Sequence, residues 1–293
     1  MTQEEQMESL KPIIKEFDEA PKGQVIPSDW KAPEGYVLKK FTVKGVPVEQ
    51  LIPEKTNGKV ILQMHGGGYL VALMDNYRWG AVQYSKMSGG AEVFSLDYRV
   101  APTYEAPAAL EDAVAVYSYL LEQGYKSKDI LFVGDSAGGN LVLVTTLYLR
   151  DHNIPLPIGV VAVSPWGVAD DSPASREKNR LKDLFIGEKG TRLWHEAFKS
   201  TYFQHADVKD PYISPVYADF TGFPSLLIQA GEYEVLGDDS LMIAKAAKEA
   251  GVDVTYTAYE GVSHDFQLTI PQMEASKKAL AQMQEFMKKC FTK

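Results

Sequence analysis

One cysteine, Cys290, stands in a chain of 293 residues. No internal disulfide can form, so the cysteine content is compatible with a reducing compartment. The segment "MKKCFTK" around Cys290 offers no strand, turn or helix start that would activate a thiol, and it reads as a helix-face residue. Basic blocks are missing too. The net charge is -9 and the pI is near 5.2. Nucleic acid is therefore excluded as a main partner, because phosphate binding needs a basic stripe. No apolar run reaches the roughly 18 residues that a membrane-spanning helix needs. The start, "MTQEEQMESL", carries Glu4 and Glu5 ahead of any apolar run, which is wrong for a secretory leader. A cytoplasmic protein without membrane contacts is expected. The composition, 45% apolar and 24% charged, is that of a globular chain.

Apolar runs of strand length alternate with helical patterns. "YVLKKFTVKG" and "VPVEQLIP" read as a hairpin turning at Lys44–Gly45. "KVILQM", "AEVFSLDY", "ILFVGD", "IGVVAVS", "SLLIQAG" and "DVTYTAYE" follow, which makes eight strands in all. The runs near 130, 158 and 225 are almost continuously apolar, as strands buried on both faces of a parallel sheet are. Between the strands, "APAALEDAVAVYSYLLEQG", "SAGGNLVLVTTLYLRD", "DDSLMIAKAAKEAG" and "PQMEASKKALAQMQEFMKKC" space apolar residues at three and four. The alternation predicts an α/β protein with helices on both faces of a mostly parallel sheet. Two segments fall outside it. Residues 1–35 read as a helix plus an irregular stretch. Residues 165–223 separate two core strands and carry Trp166, Trp194, Phe198, Tyr202 and Phe203, too much apolar bulk for disorder. Both are expected to cap the C-terminal edge of the sheet within a single domain, 1–293.

"ILFVGDSAGGNLVLV" has the form G-x-S-x-G, with Gly134, Ser136 and Gly138. It follows a buried strand and opens a helix, the context of a nucleophile elbow. "QMHGGGYL" follows another strand. Three consecutive glycines suit no regular element, but they let bare N–H groups approach a developing negative charge. Ala137, just after the serine, supplies another such N–H. A serine needs a base. Of five histidines, His65 belongs to the glycine loop, His152 to a polar turn, and His195 and His205 to the second capping segment. His264, in "YEGVSHDFQL", follows the last strand at the correct sheet edge. The orienting carboxylate should fall between Ser136 and His264, at a strand end. Only "GEYEVLGDDS" fits. Within it Glu234 sits in the loop just past the strand and is the expected acid. Asp238 and Asp239 precede an apolar-periodic run and read as N-cap or first-turn residues. Glu232, nearer the strand end, is expected to bond the loop backbone or line the pocket.

With "HGGGY", "SLDYRVAPTYEAPAALEDA", "GDSAGG", "SPW", "DPYISP" and the histidine loop in order, the chain resembles the hormone-sensitive-lipase-like branch (bacterial family IV) of the α/β-hydrolase esterases. The resemblance spans about residues 58 to 268. It implies an α/β-hydrolase fold with a helical cap, Ser136 as nucleophile, His264 as base, and Gly67, Gly68 and Ala137 as oxyanion donors. The family usually has Asp where this chain has Glu234. The reading is a serine carboxylesterase for small, short-acyl esters, acting through a Ser-His-Glu triad and an acyl-enzyme. It needs no cofactor and no metal. Tyr69 and Trp166 are expected to touch substrate. An amidase or peptidase on the same fold, and a non-catalytic small-molecule receptor, stay open at this point, as does a homodimer.

Overall fold

The computed structural model describes residues 1–292. Its centre is one sheet of eight strands: β1 (Tyr36–Val43), β2 (Val46–Pro53), β3 (Val60–Met64), β4 (Glu92–Leu96), β5 (Ile130–Asp135), β6 (Gly159–Val163), β7 (Ser225–Gly231) and β8 (Val254–Tyr259). The spatial order is β1-β2-β4-β3-β5-β6-β7-β8. β2 is antiparallel to both its neighbours, and β3 to β8 run parallel. The β1–β2 hairpin turns on Lys44 (φ 49°) and Gly45 (φ 91°), the pair of left-handed residues that a tight two-residue hairpin demands.

Side-chain alternation along the parallel strands sorts the core into two layers. On β5, Ile130 and Phe132 join one hydrophobic cluster, and Leu131 and Val133 join the other. Helices α3 (Ala108–Glu122), α4 (Ser136–Asp151) and α6 (Gly237–Glu249) feed the first. Helices α2 (Asp75–Met87) and α8 (Glu274–Phe291) cover the second. Cys290 is part of this second layer, buried on the inner face of α8. The α2 sequence, "DNYRWGAVQYSKM", hides its helix. Its inner face mixes Tyr77, Ala81, Val82 and Tyr84 with a buried Arg78, which is neutralised by Glu49 at 2.7 Å.

The N-terminal segment holds α1 (Gln3–Glu19), opened by a capping box between Thr2 and Glu5. Residues 165–223 are far less helical than the term helical cap suggests. They contain one short helix, α5 (Ser175–Lys178), and two 3₁₀ turns, Arg192–Ala197 and Pro215–Tyr217. Side-chain bonds, not helix ladders, fix this stretch. The Arg176 guanidinium is 1% exposed. It donates to Asp239 at 2.8 and 2.9 Å and to the carbonyls of Val168, Ala197 and Val235.

The chain passes from β5 into α4 by a very close backbone approach. A Cβ on Gly134 would collide with the carbonyl of Gly138, and one on Gly138 with the carbonyls of Met64 and His65. Only glycine lets β3, β5 and α4 meet this tightly. Gly138→Ala is expected to cost several kcal/mol, on the scale of overpacking and backbone strain. Urea unfolding followed by circular dichroism would measure it. A loss under about 1 kcal/mol would contradict this steric account.

Candidate active site

Strands β3 and β5 to β8 deliver their C-terminal loops to one edge of the sheet, where ligands of open α/β sheets bind. β3 ends in the loop His65–Gly68, β5 in Ser136, β6 in Ser164, β7 in Glu234 and β8 in His264. Ser136 begins α4 with φ 53°, a left-handed backbone that a serine adopts only when its surroundings enforce it. Gly67 (φ 110°) and Gly68 (φ 65°) lie in regions open to glycine. Among the described residues, their N–H groups meet no protein acceptor. The Ala137 N–H lies in the first turn of α4, where no intrahelical acceptor exists.

Ser136, Gly67, Gly68, His264 and Trp166 line one cavity of about 30 Å³. Phe17 of α1 and Phe185, Ile186, Leu193, Glu196 and Ala197 of the insertion close it. A larger cavity of about 620 Å³, between α3, the end of α4 and residues 206–213, shares no lining residue with it and holds neither a serine elbow nor a histidine. Tyr69 does not line the small cavity. It is buried, stacks on Tyr202 at 4.3 Å between ring centres, and donates its hydroxyl to Asn140 at 2.7 Å. Its contact is with the insertion, so its place is structural support behind the glycine loop.

Among the four carboxylates of "GEYEVLGDDS", Glu234 meets the histidine. Its Oε2 lies 3.5 Å from His264 Nδ1, and both side chains are buried at 0% and 1% exposure. Its Oε1 accepts from Ser164 Oγ at 2.6 Å and from the Gly231 N–H. Burial pushes the Glu234 carboxyl up to about 7, against the opposing pull of His264 and the two donors. The extra methylene is taken up by letting Oε1 turn back onto its own strand end. Asp239 is the partner of Arg176, and it also accepts from the N–H groups of Gly167 and Val168. Asp238 sits in the first turn of α6 but reaches across to the Ser175 N–H at 2.8 Å, so its bond ties down the insertion and does not cap α6. Glu232 accepts from the Gly261 N–H at the exposed rim and does not line the cavity.

Four further side chains surround the site, and the motifs that contain some of them do not show what they touch. Ser164 (φ 45°) donates to Glu234 and accepts from the Asp265 N–H at 3.2 Å. Asp183 is buried in the insertion, with its carboxyl raised by burial, and accepts from the N–H groups of Val235, Phe185, Ile186 and His264. Asp135, beside the nucleophilic-type serine, accepts from Tyr77 Oη at 2.9 Å, and burial raises its carboxyl well above the usual range. Asp265 lies against the other edge of the imidazole, Oδ2 to Nε2 at 3.1 Å. Their roles rest on partners far away in the sequence. The visible hints were "GDSAGG" for Asp135, "SPW" for Ser164 and the aspartate beside the histidine in "SHDF", and Asp183 had none. Of the remaining histidines, His65 is buried and stacks on Tyr98 at 4.1 Å. Burial holds it neutral, with its pKa lowered to about 4. His152 follows α4 against Tyr148, and His205 pairs with Glu105 at 2.7 Å.

A strained serine at a strand–helix elbow, a glycine loop of bare amides and a buried histidine–carboxylate pair define an α/β-hydrolase. The family model described as the alpha/beta hydrolase fold matches residues 61–268, and the chain belongs to that family. Within it, the chain is of the hormone-sensitive-lipase-like kind. It is 34% identical over 239 residues to an acetyl-hydrolase of Streptomyces hygroscopicus, covering 82% of this chain and 78% of that protein. An esterase of Acinetobacter venetianus is 28% identical, covering 85% and 81%. A solved esterase from the bacterial hormone-sensitive lipase family superposes with a TM-score of 0.82 at 31% identity, covering 97% of this chain and 98% of that one. EstE5, solved after soaking with p-nitrophenyl butyrate, gives 0.82 at 32% identity, covering 97% and 99%.

The two aspartates should separate in a stability assay. Asp239→Asn strands the Arg176 charge in the interior and should cost about 3–5 kcal/mol. Asp238→Asn weakens one half-buried bond and should cost about 1 kcal/mol. Urea titration of both variants tests this, and equal losses would refute the distinction.

Proposed function

We propose that the chain is a serine carboxylesterase for small esters with short acyl chains. The observation that carries this reading is the shared cavity. Ser136 on its strained elbow, the amides of Gly67 and Gly68, and His264 backed by Glu234 all face the same space. In the proposed reaction Ser136 Oγ attacks the ester carbonyl carbon, and its proton passes to His264 Nε2. The oxyanion of the tetrahedral intermediate takes hydrogen bonds from Gly67, Gly68 and Ala137. Collapse breaks the C–O bond to the alcohol, which leaves with the proton from His264. Water, deprotonated by the same histidine, then attacks the acyl-enzyme and frees the acid. Glu234 keeps the Nδ1 edge oriented and offsets the imidazolium charge.

Two observations support short acyl groups. The cavity over Ser136 is walled by the bulky side chains of Phe17, Phe185, Ile186 and Leu193. The names of two relatives, acetyl-hydrolases from Streptomyces hygroscopicus and Mycobacterium tuberculosis, point the same way. On this reading α1 and residues 165–223 act as the cap that bounds the acyl pocket.

Ser136→Ala should lose at least about a thousandfold in kcat while folding normally. A serine-reactive phosphonate should label the native chain and not this variant. Glu234→Gln should lose on the order of 10³-fold or more, while Asp238→Asn keeps most activity. The opposite pattern in folded proteins would move the acid to Asp238. Across a series of p-nitrophenyl esters, kcat/KM should peak from acetate to hexanoate. A higher value for a long-chain triglyceride than for butyrate would overturn the chain-length assignment.

A further inference from the structure

We propose that Asp265 is a positioning residue for His264, holding the Nε2 edge of the imidazole as Glu234 holds the Nδ1 edge. The inference rests on the Ser136–His264–Glu234 reading and extends it. Asp265 Oδ2 lies 3.1 Å from Nε2, and Glu234 Oε2 lies 3.5 Å from Nδ1. The imidazole thus has a carboxylate on each edge. The Glu234 carboxylate and the Asp265 backbone are both tied to Ser164, whose hydroxyl donates to Glu234 and accepts from the Asp265 N–H.

An aspartate at this point would ordinarily be explained as a helix cap. Asp265 does stand at the start of the four-residue helix α7 (Phe266–Thr269), and its carbonyl accepts from the N–H groups of Leu268 and Thr269. Yet its side chain makes no capping bond. Its backbone is left-handed, with φ 50°, a conformation that aspartate and asparagine tolerate better than most residues. The carboxylate is 6% exposed, and Oδ1 meets no hydrogen-bond partner among the described residues. A buried carboxylate is costly unless something compensates it, and the compensation here is His264.

The groups that face His264 come from four elements. Glu234 lies after β7, Asp183 in the insertion, Asp135 at the end of β5, and Asp265 beside the histidine itself. All are acidic. Burial alone would lower the imidazole pKa. Asp265 foremost, with Glu234, outweighs it and raises the pKa well above the usual 6.5.

The sign of the consequence follows. Only neutral His264 can take the Ser136 proton. An imidazolium ion-paired with the Asp265 carboxylate, 3.1 Å from Nε2, is a resting form that must first release one proton to solvent. Its Nε2 lone pair then becomes free for Ser136. Removing the Asp265 charge lowers the histidine pKa and moves the acid limb of activity to lower pH.

Two variants test this. Asp265→Asn keeps a residue suited to the left-handed backbone, and Asp265→Gly suits it better still. The pH profile of kcat/KM for p-nitrophenyl butyrate should shift its acid limb down by about one unit or more in both. Any fall in the alkaline plateau reports lost placement of the ring and is read separately from the shift of the limb. A limb that stays put or moves up overturns the proposal, and so does a plateau loss without a shift. Nitrogen-15 NMR of the wild-type His264 ring gives a reading independent of variant folding. Both ring nitrogens should carry protons near pH 7, and a neutral ring there overturns it equally. His264→Gln separates the two levels. If that variant keeps turnover, the triad reading itself fails. If it is inactive while both Asp265 variants keep the wild-type limb, only the role of Asp265 falls.

Discussion

Burial of the His264 imidazole is the constraint around which the rest of the site is arranged. A ring at 1% exposure, if it is to gain a proton as proposed, needs negative charge already in place, since water cannot rearrange to supply it. Glu234 and Asp265 supply it from the two edges, at 3.5 and 3.1 Å. Those carboxylates are buried in turn and need donors. Ser164 Oγ and the Gly231 N–H donate to Glu234, and the same hydroxyl accepts from the backbone N–H of Asp265. Each layer of compensation recruits the end of another strand, so β6, β7 and β8 are coupled through one ring.

On the other side of the cavity the governing force is steric. Gly134, Gly138 and the end of β3 touch through backbone alone, which leaves Ser136 a left-handed conformation. Such strain persists only where neighbours over-determine it. Here the neighbours are β3 and β5, buried strands of a parallel sheet. The histidine side of the site is held by polar bonds and the serine side by close packing. Polar groups on the one side can shift protonation while the serine stays fixed.

These two modes explain what the sequence made legible. Steric devices leave local marks. Glycines at fixed offsets and apolar strand runs gave the sheet, with β5, β7 and α4 falling on the expected residues. Polar compensation is non-local and leaves few marks. Ser164 and Glu234 are 70 positions apart, and Arg176 and Asp239 are 63 apart. Nothing near Asp239 in the sequence distinguishes a buried ion-pair partner from a first-turn carboxylate. That Glu234 and not Asp238 lies against His264 follows from distance to the strand end, which is itself a local feature. Tyr69 illustrates the limit. It adjoins the glycine loop in the chain, but its ring turns under the loop toward Tyr202 and Asn140. Helix α2 was hidden for a related reason, since its inner face spends a position on Arg78, whose partner Glu49 lies on β2.

The cover over the serine is attached unevenly, and the size of the cavity gives that unevenness a consequence. The space beside Ser136 is narrow and walled by residues of α1 and the insertion, so widening it means moving one of those walls. Arg176 and Asp183 fasten one end of the insertion to α6 and to the residues around Glu234 with buried, multiply bonded groups. Moving that end would expose an unpaired charge and disturb the backbone around Glu234, the carboxylate beside His264. The opposite wall is Phe17 of α1 against Phe185, an edge-to-face pair at 5.5 Å. It is helped by the bond from the Arg192 N–H to Asp18, which is solvent-exposed. Moving this wall also uncovers Leu10 and Phe17, so its cost lies in apolar burial and weak bonds and not in a stranded charge. The cheaper displacement is therefore at α1 and the 3₁₀ turn near Arg192, and it leaves the Glu234–His264–Asp265 arrangement untouched.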